Sequence, residues 1–194
     1  VGVALAHAEV GIMRDEVWPG IPFIGFEPNP KTFGEIAAGY PGTIYPYALS
    51  NEVRERVPFY QPHKHRDGSS LFRRQPDDVE YLVSVSTLDT LYPDGPGAEH
   101  VLLWIDAEGN ELRVLQGAER FLAGVQMINI ELTGSPSGSG WDDQLSIHKW
   151  LMDYGFRRQW VHTQRIHVGQ QDCIYVPTEM LSPEICCCPC QLEG

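Results

Sequence analysis

A chain of 194 residues with 14 Lys and Arg against 26 Asp and Glu carries a formal net charge of −12, which argues against a nucleic-acid partner. Its composition, 42% hydrophobic and 21% charged, is that of an ordinary globular protein long enough for one full core. No apolar run approaches the roughly 18 residues of a membrane-spanning helix, and no secretory leader is visible; a soluble, cytoplasmic protein with no membrane partner is the expectation.

In chain order, VGVALA at residues 1–6 is followed by a helical pattern to Trp18, closed by the breaker pair Pro19-Gly20. IPFIGF at residues 21–26 reads as a buried strand ending at Glu27. Pro28-Asn29-Pro30 then starts a helix over residues 31–38, stopped by Gly39. TIYPYAL at residues 43–49 is a third strand candidate, with Pro46 marking an edge. These alternations with short links point to an α/β sheet. Residues 57–60 and 81–87 have strand composition, with Tyr81, Val83 and Val85 alternating. Between them lies a basic, turn-rich segment, 63–74, so this part reads as an inserted β-hairpin.

Residues 101–133 form the most informative stretch. The apolar run Val101 to Ile105 stops at Asp106, a helix-like segment follows, and a second apolar run ends at Glu131. Short, continuously apolar strands suit a parallel sheet covered on both faces. Ligands of such sheets bind beyond the carboxyl ends of the strands, so Asp106, Glu108 and Glu131 are expected on one rim. In the intervening helix Val114, Ala118, Phe121 and Leu122 share a face. GSPSGSG at residues 134–140 reads as a flexible loop able to act as a lid. Asp142 or Asp143 caps the next helix, where Ile147, Trp150, Leu151 and Tyr154 share a face and Gly155 ends it. Residues 156–162 and 171–176 close the fold as a strand pair. One domain over residues 1–180 is expected, followed by a Cys-rich tail, 181–194. The clustered Cys186, Cys187, Cys188 and Cys190 cannot form a framework of disulfides across the fold.

Several blocks occur in the order and spacing of one family: FEPNP at 26–30, ALS at 48–50, SSL at 69–71, STLD at 86–89, WIDAEGNELRVLQGA at 104–118 and INIEL at 128–132. The chain resembles the FkbM-type methyltransferases over nearly its whole length. The resemblance implies a Rossmann-like class I methyltransferase sheet, mostly parallel with an antiparallel C-terminal strand, and S-adenosylmethionine as methyl donor. It places Gly2 and Ala4 in the cofactor loop, Glu27 with Pro28 at the ribose, and Ala48, Leu49 and Ser50 near the adenine. Ala4 and Ala6 stand where the family usually has Asn and a second Gly. The aspartate that normally precedes the first glycine would lie before Val1; either the chain begins at the end of its own central strand, or residues 1–6 are a shortened first strand.

For Asp106 the resemblance implies contact with the methionine end of the cofactor or with the reacting hydroxyl; the plainer reading is a helix cap. Glu108 is an acceptor-side acid or a first-turn acid favoured by the helix dipole. Glu131 can act beside Asp106 as general base, or the two can hold a divalent cation. Segment 63–74 can greet an anionic substrate or be a solvated hairpin, and Trp141 can line the acceptor pocket. The expected activity is methylation of a hydroxyl on a small molecule or glycan. The alternatives are a non-catalytic binding or scaffold protein on the same fold, and another nucleotide-binding α/β protein.

Overall fold

The apolar runs become strands in the computed structural model, which describes residues 19–63, 68–98, 100–133, 140–163 and 170–181. β1 (Ile24–Phe26) pairs in parallel with β2 (Thr43–Tyr45). Between them, α1 (Pro30–Ile36) starts on Asn29, whose side chain accepts from the N–H groups of Lys31 and Thr32. Pro30 occupies the first turn, where a missing N–H costs nothing.

The expected strand over 43–49 is divided at Pro46. Its second half, β3 (Tyr47–Leu49), leaves β1 and pairs in parallel with β5 (Val79–Ser86). A proline offers no ladder donor, so the chain changes partner there. β4 (Arg54–Gln61) runs antiparallel to β5, giving the expected hairpin. Val83 and Val85 from the predicted alternation join Ala48 and Phe59 in a small core of their own.

The third sheet has the order β6 (Leu102–Ile105), β7 (Met127–Thr133), β9 (Gln170–Pro177), β8 (Phe156–Thr163). β6 and β7 are parallel, and β9 lies antiparallel between β7 and β8, as expected of the C-terminal strand. Three described pairings are parallel and three antiparallel, so the fold is mixed α/β, where the sequence had suggested a mostly parallel sheet. Among the described residues the expected hairpin β4/β5 and antiparallel β9 stand beside only three parallel pairs, one in each of three sheets.

The main core lies where β6 and β7 meet α3 (Glu111–Gln116) and α4 (Gln144–Asp153), with Ile105, Leu115, Ile128, Ile130, Ile147 and Leu151 fully buried. Each such side chain contributes about 1.5–3 kcal/mol relative to exposure. Val114, Ala118, Phe121 and Leu122 are all buried as predicted, although the helix ends at Gln116 and Phe121–Gly124 forms a 3-10 turn.

Three of the recognised blocks are stapled together at that helix end. Gly117 lies so close to the Ser50 carbonyl that a β-carbon would overlap it. The Gly117 carbonyl accepts from Asp89 N, and the Asp89 carboxylate accepts from Arg120 N and Phe121 N. Asp89 itself sits in the short helix α2 (Leu88–Leu91), capped by Thr87. Further on, Gly155 ends α4 in a left-handed conformation, φ 100°. Trp150 and Tyr154 stack with ring centroids 4.8 Å apart. His148 on α4 is part-buried and 2.9 Å from the Tyr175 hydroxyl. Among the described residues no helix is long and apolar enough to cross a membrane.

Candidate active site

Acids and small residues collect past the ends of the parallel strands. Glu27 follows β1 and is buried; its N–H donates to the Tyr45 carbonyl, and its Oε1 accepts from Asn29 N at 2.7 Å. Asn29 is buried too, its Nδ2 donating to Gln61 Oε1 at 2.7 Å. Pro28 between them is half-buried. At the end of β3, Ala48, Leu49 and Ser50 are all buried, with Ser50 N donating to the Ser86 carbonyl. In the β6/β7 register Ile105 faces Ile130, so the next step puts Asp106 beside Glu131.

The loop from Asp106 to Asn110 is bent by two consecutive left-handed residues, Glu108 at φ 50° and Gly109 at φ 95°. For Glu108 this conformation costs about 1–3 kcal/mol, so its surroundings must hold it. The Glu108 carbonyl accepts from Ser70 Oγ at 2.7 Å, and its carboxylate accepts from Arg74 Nη2 at 2.6 Å. Glu111 reaches back from α3 to accept from Ala107 N and Gly109 N at 3.1 and 3.0 Å. Burial pushes the Glu111 carboxyl up to about 7; Asp106 adds to the rise, while the two N–H donors oppose it.

Asn110 precedes α3 but gives it no side-chain cap, because its Nδ2 donates to the Leu49 carbonyl at 2.8 Å, joining the β6 loop to the end of β3. Asp142 supplies the cap from a distance, accepting from Leu112 N and Arg113 N at 3.0 and 3.3 Å and pairing with the Arg113 guanidinium at 3.2 Å. So Asp142 caps the helix before it, and Asp143 alone caps α4, through Ser146 N. Burial raises the Asp142 carboxyl against the pull of Arg113. Trp141 lies against Gly109, where a β-carbon would collide with the indole, and under the Arg74 guanidinium, 4.3 Å from the ring centre.

Glu131 completes the rim. Its Oε1 accepts from Gln170 Nε2 at 2.9 Å, and it faces Asp172 across the β7/β9 ladder. Burial, then the negative charges of Asp106, Glu108, Asp172 and Glu111, push its carboxyl up to about 8. A carboxyl near neutrality among other acids is an arrangement suited to proton transfer. Carboxylates following β1 and β6, Glu131 two residues before the end of β7, small residues at the end of β3 and a strained acidic turn after β6 make up the constellation.

A model of the methyltransferase FkbM domain matches residues 8–158. The chain belongs to the FkbM methyltransferase family. No curated protein and no solved structure gave a match.

The stretch matched to the FkbM domain holds every strand-end acid named above and ends before β9. Gly2 and Ala4, assigned by resemblance to the cofactor loop, precede the match and lie outside the described residues, as do residues 134–139 of the lid candidate and the cysteine cluster. The basic segment divides by residue. Arg73 sits on the Tyr60 ring and pairs with Glu80 on the outside, while Arg74 pairs with Glu108 in the turn after β6. Among the described residues no group of three or more His, Cys, Asp or Glu is arranged to hold a metal ion.

Sequence alone gives no individual role to Ser70, Asn110 or Glu111, and takes Arg74 only as one of the basic residues of segment 63–74. Ser70, Asn110 and Glu111 stand inside recognised blocks, SSL and DAEGNE, and that is the available signal. Nothing local separated Arg74 from Arg73.

Proposed function

We propose that this FkbM-family protein transfers a methyl group from S-adenosylmethionine to a hydroxyl of a small molecule or glycan. The observation that carries the reading is the acid pair formed by Asp106, just past β6, and Glu131 beside it on β7, with Glu27 just past β1. We read the sheets as parts of one Rossmann-like class I sheet, supported by the parallel pair β6/β7 and the antiparallel β9 between β7 and β8.

S-adenosylmethionine would supply the methyl group on a sulfonium with a neutral thioether as leaving group. The residues present fit such a cofactor. The Glu27 carboxylate, oriented by Asn29 N, suits the two ribose hydroxyls, with Pro28 fixing the chain beside it. Ala48, Leu49 and Ser50 offer a small, buried edge for the adenine. Asp106 would orient the methionine end and the acceptor hydroxyl.

Glu131 would take the acceptor proton as its carboxylate, the form that burial and the neighbouring acids hold back until the pH approaches about 8, so turnover should rise with pH through that value. Glu108 shapes the turn and is held by Arg74. A divalent cation would need a third ligand beside Asp106 and Glu131, and no such group stands among the described residues. The protein offers placement and a base, which is what in-line methyl transfer requires.

The test is formation of S-adenosylhomocysteine on incubation with a panel of polyols and glycans. Product should form with at least one acceptor, and E131Q should lower turnover by about 10²–10⁴-fold. Product formation unchanged in E131Q would remove Glu131 from the reaction.

A further inference from the structure

Arg74 belongs to a segment whose basic character suggested solvent or an anionic ligand, yet its partly exposed side chain is engaged by the turn after β6. It is delivered there by Asp78, which is buried and whose Oδ2 accepts from Arg74 N and Gln75 N at 2.8 and 2.9 Å. The guanidinium then makes two contacts at once: an ion pair with Glu108 at 2.6 Å and a cation–π contact with Trp141 at 4.3 Å. Four residues earlier, Ser70 holds the Glu108 carbonyl at 2.7 Å. One segment therefore grips Glu108 by main chain and side chain, at the residue forced into the left-handed region beside Asp106. The same guanidinium neutralises one acid of the group that surrounds Glu131.

We propose that Arg74 is a positioning residue for the acceptor side: through Glu108 and Trp141 it fixes the turn after β6 and lowers the negative charge facing Glu131. The inference rests on the methyltransferase reading for its catalytic meaning, and on the contacts above for its physics. The groups facing Glu131 are Asp106, Glu108 and Glu111 from the β6 side and Asp172 from β9, with Gln170 and Thr133 as hydrogen-bond partners. Removing Arg74 leaves Glu108 as an unscreened like charge, which disfavours the Glu131 carboxylate.

The test is a carbon-detected NMR titration of the Glu131 carboxyl in the full chain, with calorimetric titration of S-adenosylhomocysteine run on the same samples. R74Q should raise the Glu131 midpoint by roughly half to one pH unit. E108Q should lower it, R74Q/E108Q should match E108Q, and R74K, which keeps the charge, should stay near the wild type. The emission contributed by Trp141, read as wild type minus W141F, should change in wavelength or intensity in the R74Q background, where the guanidinium no longer covers the ring. An unchanged Glu131 midpoint in a folded R74Q would overturn the role of Arg74 while leaving the methyltransferase reading intact. Absence of cofactor-product binding by the wild type would overturn that reading, and with it the acceptor-side role, whatever the titration shows.

Discussion

The turn after β1 and the turn after β6 both carry an acid past the end of a parallel strand, and they are held in opposite ways. Around Glu27 nearly everything is local: Asn29 N bonds the carboxylate, and the Asn29 side chain caps α1 through Lys31 N and Thr32 N. One long-range bond, to Gln61, ties the turn to β4. Around Asp106–Asn110 the partners arrive from Leu49, Ser70, Arg74, Trp141 and Asp142, each more than 25 positions away in the chain. A turn stabilised by its own residues can hold a cofactor group before the rest of the site is in place. A turn assembled from three distant segments depends on the whole fold, and it is where an acceptor pocket can be retuned by changing one distant residue.

The comparison breaks most visibly at Gly109. G109A places a β-carbon at φ 95° and into the Trp141 indole, so it should destabilise the protein by about 2–5 kcal/mol in urea unfolding. G109A/W141A should recover the steric part and keep the backbone part. At the other turn, N29A removes a helix cap and the partner of Gln61, and should cost about 1–3 kcal/mol. If N29A proves the more damaging, the contrast between a local and an assembled turn is wrong.

Acid–base behaviour sharpens the same contrast. Glu131 and Glu111 bind protons more tightly in the folded chain, near 8 and 7, than their ordinary value of 4.5. The stability this provides is fully present below that ordinary value and is lost as pH rises through the folded values. Tm should therefore fall between about pH 5 and 8, and E131Q should flatten the upper end of the fall while leaving the Glu111 part. A Tm that rises over this range would contradict the burial assigned to both groups. Smallest of all, R73Q should change stability by less than about 1 kcal/mol, because its pair with Glu80 is exposed.

Much of this was legible in the sequence where the physics is local. A continuous apolar run ended by an acid marks a strand and its mouth: Glu27 and Asp106 follow β1 and β6, whereas Glu131 lies two residues inside β7, and the run before Glu27 shrinks to a three-residue strand with Ile21 and Ile24 half exposed. Pro46 announced a break, but which half would pair with β1 and which with β5 is a tertiary outcome. Asp142 and Asp143 looked interchangeable as caps, yet each serves a different helix, since only the docking of Trp141 on Gly109 brings Asp142 to α3. Arg73 and Arg74 are identical in type and adjacent, and the loop that Asp78 folds before β5 sends one to Tyr60 and the other to Glu108.

The central claim, that the strand-end acids form a methyl-donor site, is tested most directly by calorimetric titration of S-adenosylmethionine and S-adenosylhomocysteine into the wild type, E27A and E131Q. The account predicts saturable binding to the wild type, weakened at least about tenfold by E27A, in line with loss of a charge-assisted hydrogen bond, and within about threefold of wild type in E131Q. No saturable binding to folded wild-type protein, or equal affinity in E27A, would contradict it.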